Sequence, residues 1–290
     1  MNRPASNAAT PGAVAIVTDS TAYLPAAPVV QHAITVVPLQ VVIGSASLEE
    51  GSEATTQTVA DAVRRWVPVS TSRPTPQAFL AAYRDAADAG ASGVVSIHLS
   101  AEMSGTYESA VLAAADAPLP VRVVDSRSMG MGLGFAVLSA AEAAERALQL
   151  HEVVAVAEKR AARTSAFFYV DTLEHLRRGG RIGAAQALFG SALAVKPLLH
   201  LADGRIAPLE KVRTASRALA RLGEIAVDRA AGAEVDVAVH HLANGARARA
   251  MGEGLRARMP GLCDLYVSEV GAVVGAHTGP GMLAVVVAPR

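Results

Sequence analysis

Along the first half of the chain, short apolar β-branched runs alternate with helical spacings, and most runs stop at a polar, hydroxyl-bearing turn. Residues 13–17 are Ala-Val-Ala-Ile-Val and end at Thr18-Asp19-Ser20-Thr21, which reads as a buried strand entering a polar loop. A second strand is expected over 36–43, interrupted by Pro38. Residues 55–66 put Val59, Ala62, Val63 and Trp66 on one helical face. The prolines and hydroxyls of Thr71-Ser72-Arg73-Pro74-Thr75-Pro76 read as a loop. Thr75 is placed to cap a helix over 76–89 with Pro76 in its first turn. A strand over 93–99, a polar turn over 100–106, a helix over 107–115 and a strand over 121–124 follow. A long apolar helix is expected over 129–150. This order predicts parallel βαβ units, hence an α/β sheet with helices on both faces and a ligand at the carboxyl ends of the strands. Those ends are Asp19-Ser20-Thr21, residues 100–106 and Asp125-Ser126.

The second half mixes hairpin and helix signals. Strands are expected over 167–170, 235–240, 265–270 and 283–287, and helices over 173–178, 184–192, 215–230 and 246–259. Runs at 198–201 and 205–209 flank Asp203-Gly204, a hairpin signature. The fold class expected is α/β with two domains. One is an N-terminal parallel-sheet three-layer domain over 13–163, and the other a C-terminal α+β domain over 164–290. Residues 1–12 read as a disordered tail.

Composition narrows the function classes. The chain has 290 residues, of which 51% are apolar and 18% charged, so bulk disorder is excluded. Its 26 basic side chains balance 26 acidic ones, which argues against a nucleic-acid partner. Only Lys159, Lys196 and Lys211 are lysines, so the basic charge is nearly all arginine. A lone cysteine, Cys263, excludes an internal disulfide or a cysteine metal cluster and fits a reducing cytoplasm. The longest apolar stretch, residues 129–141, falls short of the roughly 18 residues a membrane span needs. No signal peptide is apparent, because residues 1–12 are polar.

Gly130-Met-Gly-Leu-Gly134 lacks dinucleotide-binding spacing, and its glycines suit close helix packing or room for a bulky ligand. There is no phosphate loop and no zinc-protease motif. His240 and His241 are adjacent on a strand, so they point to opposite faces and cannot chelate together. A serine-hydrolase reading would use Ser104 and His277, with Asp19 or Asp125 completing a triad, although no nucleophile elbow is present. His277 lies in His277-Thr-Gly-Pro-Gly281, a loop stiffened by glycine and proline and placed to face a ligand. Leu176-Arg-Arg-Gly-Gly-Arg-Ile182 is a compact positive patch suited to an anionic ligand or partner.

Nine segments in one order resemble the DegV family, whose fatty-acid-binding members are known as FakB. They are Val17-Thr-Asp-Ser-Thr21, Val37-Pro-Leu39, Thr71-Ser-Arg-Pro-Thr-Pro76, Leu99-Ser-Ala-Glu-Met-Ser-Gly-Thr-Tyr107, Val124-Asp-Ser126, the 176–182 patch, Lys196-Pro197, Arg213-Thr214 and Gly275-Ala-His-Thr-Gly-Pro-Gly281. Arg73 departs from the pattern, where the family usually shows glutamine. The resemblance implies a fatty acid buried in a tunnel between two domains and no other cofactor. Carried over residue by residue, it implies a carboxylate site of Thr71, Ser72, Ser104, the Gly105 backbone and His277. It also implies a partner, a separate ATP-dependent fatty acid kinase that converts the bound acid to an acyl phosphate for phospholipid synthesis. Arg177, Arg178 and Arg181 would then dock that kinase or touch membrane phosphates.

The chemistry suits such a ligand. Burying a C16 tail is worth about 11 kcal/mol at about 0.8 kcal/mol per methylene, before the costs of ordering. Hydroxyls, a backbone N–H and an imidazole satisfy carboxylate oxygens, whereas a bidentate arginine would hold them more firmly. The apolar helix over 129–150 suits a tunnel wall or plain core. The rival readings are the Ser104–His277 hydrolase and a lipid-sensing regulatory protein.

Overall fold

The computed structural model describes residues 12–65, 67–188 and 196–290. Most of the expected tail, Trp66 and the end of the helix expected over 184–192 lie outside the described residues; residues 183–188 form a 3-10 turn.

In chain order the first part comprises β1 (Val14–Asp19), α1 (Ala26–Gln31), β2 (Thr35–Val37), β3 (Gln40–Ile43), β4 (Ala46–Glu49), α2 (Thr56–Arg64) and β5 (Val69–Ser72). It continues with α3 (Pro76–Asp88), β6 (Gly93–His98), α4 (Thr106–Ala114), β7 (Val121–Asp125), α5 (Met131–Glu145) and α6 (Leu150–Arg163). Strands β2-β1-β6-β7 form a wholly parallel sheet. Its inner strands are buried at nearly every position because both faces are covered. Val17 and Val94 pack toward Phe79 and Tyr83 of α3 and Ala110 of α4. Ile16, Val95 and Ile97 pack toward Leu133, Ala136 and Val137 of α5 and Val153 and Ala157 of α6. This is the three-layer arrangement expected.

Several local expectations are corrected. The run over 36–43 is two strands, not one: β2 joins the parallel sheet, while β3 joins an antiparallel sheet ordered β4-β3-β5. Pro38 sits where the chain changes sheets and has no N–H to give a ladder. Residues 71 and 72 are strand, not loop, because Thr71 and Ser72 pair with Val41 and Gln40. The helix expected over 129–150 ends at Glu145; Ala147 turns left-handed (φ 57°), and α6 starts where the Glu152 carboxylate accepts from the Gln149 N–H at 2.8 Å.

The second part comprises β8 (Ser165–Tyr169), α7 (Glu174–Arg178), β9 (Lys196–Ala202), β10 (Arg205–Val212), α8 (Ala215–Ala230) and β11 (Val235–His241). After these come α9 (Gly245–Arg258), β12 (Leu262–Glu269), α10 (Ala272–Thr278) and β13 (Leu283–Pro289). They build a mixed sheet ordered β10-β9-β8-β13-β11-β12. Period-two alternation sorts its side chains. Phe167, Tyr169, Leu198, Val237, Val239, Val285 and Val287 pack with Leu222 of α8 and Leu255 of α9. Phe168, Leu199 and Ile206 join a separate cluster on the other face, and Ala166, Ala238 and Val286 meet Met131 and Phe135 of α5. Helix α5 is therefore buried over most of its surface because it packs against both sheets, with Glu142 and Glu145 left exposed.

Candidate functional site

The ligand-sized space lies where the parallel strands end. A cavity of about 280 Å³ is bounded by Thr21 and Tyr23 beyond β1, Leu99 and Met103–Gly105 beyond β6, and Met129 and Gly130 beyond β7. Its opposite wall is the second sheet's inner face: Ala166 and Phe168 of β8, Leu201 of β9, Ile206 of β10, His240 of β11, and Ala284 and Val286 of β13. Helix α10 contributes Val273, Val274, His277 and Thr278, and β5 contributes Thr71 and Ser72. Alternation explains why small and apolar residues meet the space while their neighbours enter the core. Only Met129 and Gly130, just before α5, reach the cavity, so α5 itself is core.

At one polar place in this wall, Thr71 Oγ1 and His277 Nε2 are 2.8 Å apart, although 206 positions separate them in sequence. His277 is in the last turn of a short helix rather than a loop. Gly279 ends that helix with φ 75°, and a Cβ there would lie 2.2 Å from the His175 ring, so both conformation and space require glycine. Burial, reinforced by the Arg181 charge, pushes the His277 imidazole down to about 4, so it is neutral at pH 7. Its Nδ1 is buried without a partner among the described residues, and a Cβ on Gly179 would lie 2.0 Å from it. An orphaned acceptor is tolerated better than an orphaned N–H. The favoured tautomer therefore carries its proton on Nε2 and donates to Thr71 Oγ1, which leaves the Thr71 hydroxyl proton free for a ligand oxygen.

Ser104 and Gly105 stand at the start of α4. Ser104 Oγ lies 2.9 Å from Thr106 Oγ1, and Gly105 is the N-cap, so the first N–H groups of a nine-residue helix begin here beside the cavity. Both Thr71 and Ser72 border the cavity, but alternation turns the Thr71 side chain toward His277 and leaves that of Ser72 exposed at the rim, where its hydroxyl meets the Arg73 carbonyl at 3.5 Å. The basic patch divides. Arg181 lines the cavity, with Nε donating to the Met103 carbonyl at 3.2 Å and Nη1 to the Gly179 carbonyl at 2.7 Å. Arg177 and Arg178 lie outside it and share Glu174 as an ion-pair partner at 2.7 and 2.8 Å.

Residues that sequence reasoning did not single out hold these parts in place. The buried Glu50 carboxylate accepts from Ser20 Oγ at 2.6 Å, from Tyr23 Oη at 3.2 Å and from the Val273 N–H at 2.7 Å. Tyr23 Oη in turn accepts from the Val274 N–H at 3.2 Å. Two side chains of the first part thus hold the first turn of α10, and α10 carries His277. Burial raises the Glu50 pKa, opposed by its hydrogen bonds from Ser20, Val273 and Tyr23. The β9–β10 hairpin holds the other side: Asp203 and Gly204 both have positive φ (51° and 78°), and the Gly204 carbonyl accepts from Ser100 Oγ at 2.7 Å. No local motif marks Glu50, whose partner in α10 is 223 positions away.

The hydrolase constellation is not assembled. Ser104 bonds to Thr106 and not to His277, while Asp125 Oδ1 accepts from the Ala101 and Arg127 N–H groups. Asp19 is occupied elsewhere: His98 Nδ1 is 3.1 Å from its Oδ2, and Ser96 Oγ is 2.7 Å from His98 Nε2. That serine–histidine–aspartate line is fully buried, and Tyr83 Oη donates to Ser96 from behind. The glycines of 130–134 serve close packing: a Cβ at Gly134 would lie 2.9 Å from the Ala22 carbonyl oxygen, and one at Gly132 would lie 2.0 Å from Ser128 Oγ. His240 and His241 diverge as expected; His240 Nε2 accepts from the Met131 N–H at 2.9 Å, whereas His241 faces Glu269. Among the described residues no helix is long and apolar enough to cross a membrane.

This architecture has known counterparts. The family model described as "Uncharacterised protein, DegV family" matches residues 13–290. A DegV domain-containing protein of Streptomyces coelicolor is 65% identical over 277 residues, covering 96% of this chain and 99% of the relative. The DegV protein of Bacillus subtilis is 36% identical over 277 residues, covering 94% and 98%. Among solved structures, a DegV family protein from Thermus thermophilus, described by its fatty acid binding, superposes with TM-score 0.91 at 33% identity, covering 96% of this chain and 100% of that one. The Bacillus subtilis DegV structure, described as a fatty acid binding protein, gives 0.88 at 35%, again covering 96% and 100%. Sequence and fold agree over almost the entire length, and the chain belongs to the DegV family.

Proposed function

We propose that this protein binds a long-chain fatty acid and presents its carboxylate to a separate ATP-dependent fatty acid kinase. The observation that carries the binding is the cavity: apolar side chains of two sheets enclose it, and the Thr71–His277 pair with Ser104 gives one polar end. A single-headed apolar ligand matches that distribution, with the tail against Phe168, Leu201, Ala284 and Val286 and the carboxylate against the hydroxyls. The neutral His277 orients Thr71 without forming a strong ion pair, which keeps the carboxylate oxygen available as a nucleophile toward a phosphoryl donor. The fatty-acid-binding proteins of Thermus thermophilus and Bacillus subtilis support the ligand class.

The family resemblance and the charge beside the site support the kinase role, and with it a place in the cytoplasm feeding phospholipid synthesis. Arg177 and Arg178 lie on the exposed side of α7, next to the wall that holds Arg181, and suit an acidic kinase surface or membrane phosphates. Mass spectrometry of the purified protein, native and then after organic extraction, tests the binding. A stoichiometric C14–C18 fatty acid is expected. A clean apo mass with no uptake of added fatty acid overturns it. Incubation of the loaded protein with ATP and a fatty acid kinase catalytic protein tests the presentation, with acyl phosphate trapped as the hydroxamate. Reversing charge at Arg177 and Arg178 is expected to lower that yield while leaving lipid uptake intact. No hydroxamate with a competent kinase overturns the presenting role and leaves a lipid sensor.

A further inference from the structure

The Thr71, Ser104 and His277 groups at the polar end of the cavity carry no positive charge themselves. Thr71 and Ser104 are neutral, and His277 is a neutral imidazole. A carboxylate moved out of water into such a place needs compensating charge or a full set of donors. Two guanidiniums border the space, Arg73 and Arg181. Arg181 adds charge beside His277, but its Nε and Nη1 are committed to the Met103 and Gly179 carbonyls. Arg73 differs: among the described residues its guanidinium has neither a hydrogen-bond nor an ion-pair partner, and it is exposed at the rim beside Thr71 and Ser104.

Its position is set by a glycine. Arg73 Nη1 lies 2.0 Å from where a Cβ on Gly105 would be, with Cδ at 2.9 Å and Cζ at 3.1 Å. Gly105 has φ −71°, which any residue adopts, so no backbone requirement explains it. The space left by its missing side chain is where the Arg73 side chain runs. The guanidinium is thereby seated against Gly105, the N-cap of α4, next in sequence to Ser104.

We propose that Arg73 is a specificity-determining residue of the head-group site: seated over Gly105, it adds a guanidinium with uncommitted donors to the Thr71–Ser104–His277 set and selects an ionised acid over a neutral head group. This deepens the fatty-acid reading above and depends on it. Because the guanidinium is exposed, it attracts the carboxylate electrostatically without sealing it, so its contribution is screened by salt.

The test uses the full chain, delipidated, with a C16 fatty acid and the C16 alcohol as probes at about pH 7.5, in low and in high salt. R73Q is expected to weaken the acid about five- to tenfold and leave the alcohol unchanged, which flattens the salt dependence of acid binding. R73K restores part of the preference. G105A keeps Arg73 but occupies its seat, and only the far end of a flexible side chain has to move, so the variant folds and loses the same preference. An acid-to-alcohol ratio unchanged in R73Q, with the wild type binding the acid, overturns this proposal alone. A wild type that takes up neither probe overturns the fatty-acid reading and this proposal with it.

Discussion

His98 and His277 each hold a hydroxyl within 2.8 Å and occupy opposite kinds of place. His98 has Ser96 Oγ at 2.7 Å on one nitrogen and Asp19 at 3.1 Å on the other, and Ser96, His98 and Asp19 are fully buried. Asp19 is further satisfied by the Leu99 N–H at 2.9 Å and by the Thr21 N–H and hydroxyl. His277 has Thr71 Oγ1 at 2.8 Å on one nitrogen, no partner on the other, and a cavity beside it. The first carries every residue type of a serine hydrolase and has no room for a substrate. The second lacks a carboxylate and faces the ligand space. A fully satisfied polar network specifies the fold, whereas a polar pair left incomplete at a cavity wall is what a ligand completes.

The largest effect separates the two histidines by stability. His98→Ala removes a buried ring and leaves Asp19 and Ser96 each short of a partner, for a loss of about 3–5 kcal/mol. His277→Ala is expected to cost about 1 kcal/mol or less, because only Thr71 loses a partner there. Urea unfolding of both variants measures the contrast, and equal losses break it.

Acid titration gives the next effect. Burial holds the cavity-lining histidines, His240 and His277, at about 4, while an unfolded histidine titrates near 6.5. The unfolded chain therefore binds protons first as pH falls. Their stabilisation is complete above pH 6.5 and is lost on descent toward pH 4, by up to about 3 kcal/mol for each. Glu50 works in the other direction, because its raised pKa lets the folded state take up a proton early. Unfolding midpoints at pH 7.5 and pH 5 are expected to differ less in His240→Gln and in His277→Gln than in the wild type. They are expected to differ more in Glu50→Gln, and identical pH dependence in all of them refutes the assignment.

How much of this was legible in the sequence depends on how far each feature's cause lies from it. Helix α8 falls on the residues expected, 215–230, because its apolar spacing and its Thr214 cap are local. The same holds for the Asp203-Gly204 hairpin and for the buried runs of β1 and β6. Thr71 and Ser72 look like loop because of their neighbours, and they become strand only through β3. Helix α10 was unmarked, and its first turn is held by Tyr23 and Glu50, more than 220 positions away. Thr71, Ser104, Gly105 and His277 could be named from residue chemistry and the family resemblance, and the structure brings all four to one cavity. The role of Gly179, closing over His277 Nδ1, had no signal in a loop that reads simply as basic and glycine-rich.

The smallest effects sharpen the comparison within β5 itself, where adjacent hydroxyls face opposite ways. Thr71 reaches His277, and Thr71→Val keeps the β-branched shape while removing both the bond to Nε2 and the donor offered to a carboxylate. About a tenfold loss of fatty-acid affinity is expected, which matches one hydrogen bond to a charged group. The Ser72 hydroxyl meets its neighbour's carbonyl at 3.5 Å, near the limit of a hydrogen bond, and its side chain is exposed. Ser72→Ala is therefore expected to stay within about 0.5 kcal/mol of the wild type in stability and to leave affinity unchanged. Calorimetric titration of both variants decides between alternation and mere proximity. If Ser72→Ala weakens binding as much as Thr71→Val, the strand does not divide its hydroxyls as the pairing with Val41 and Gln40 requires.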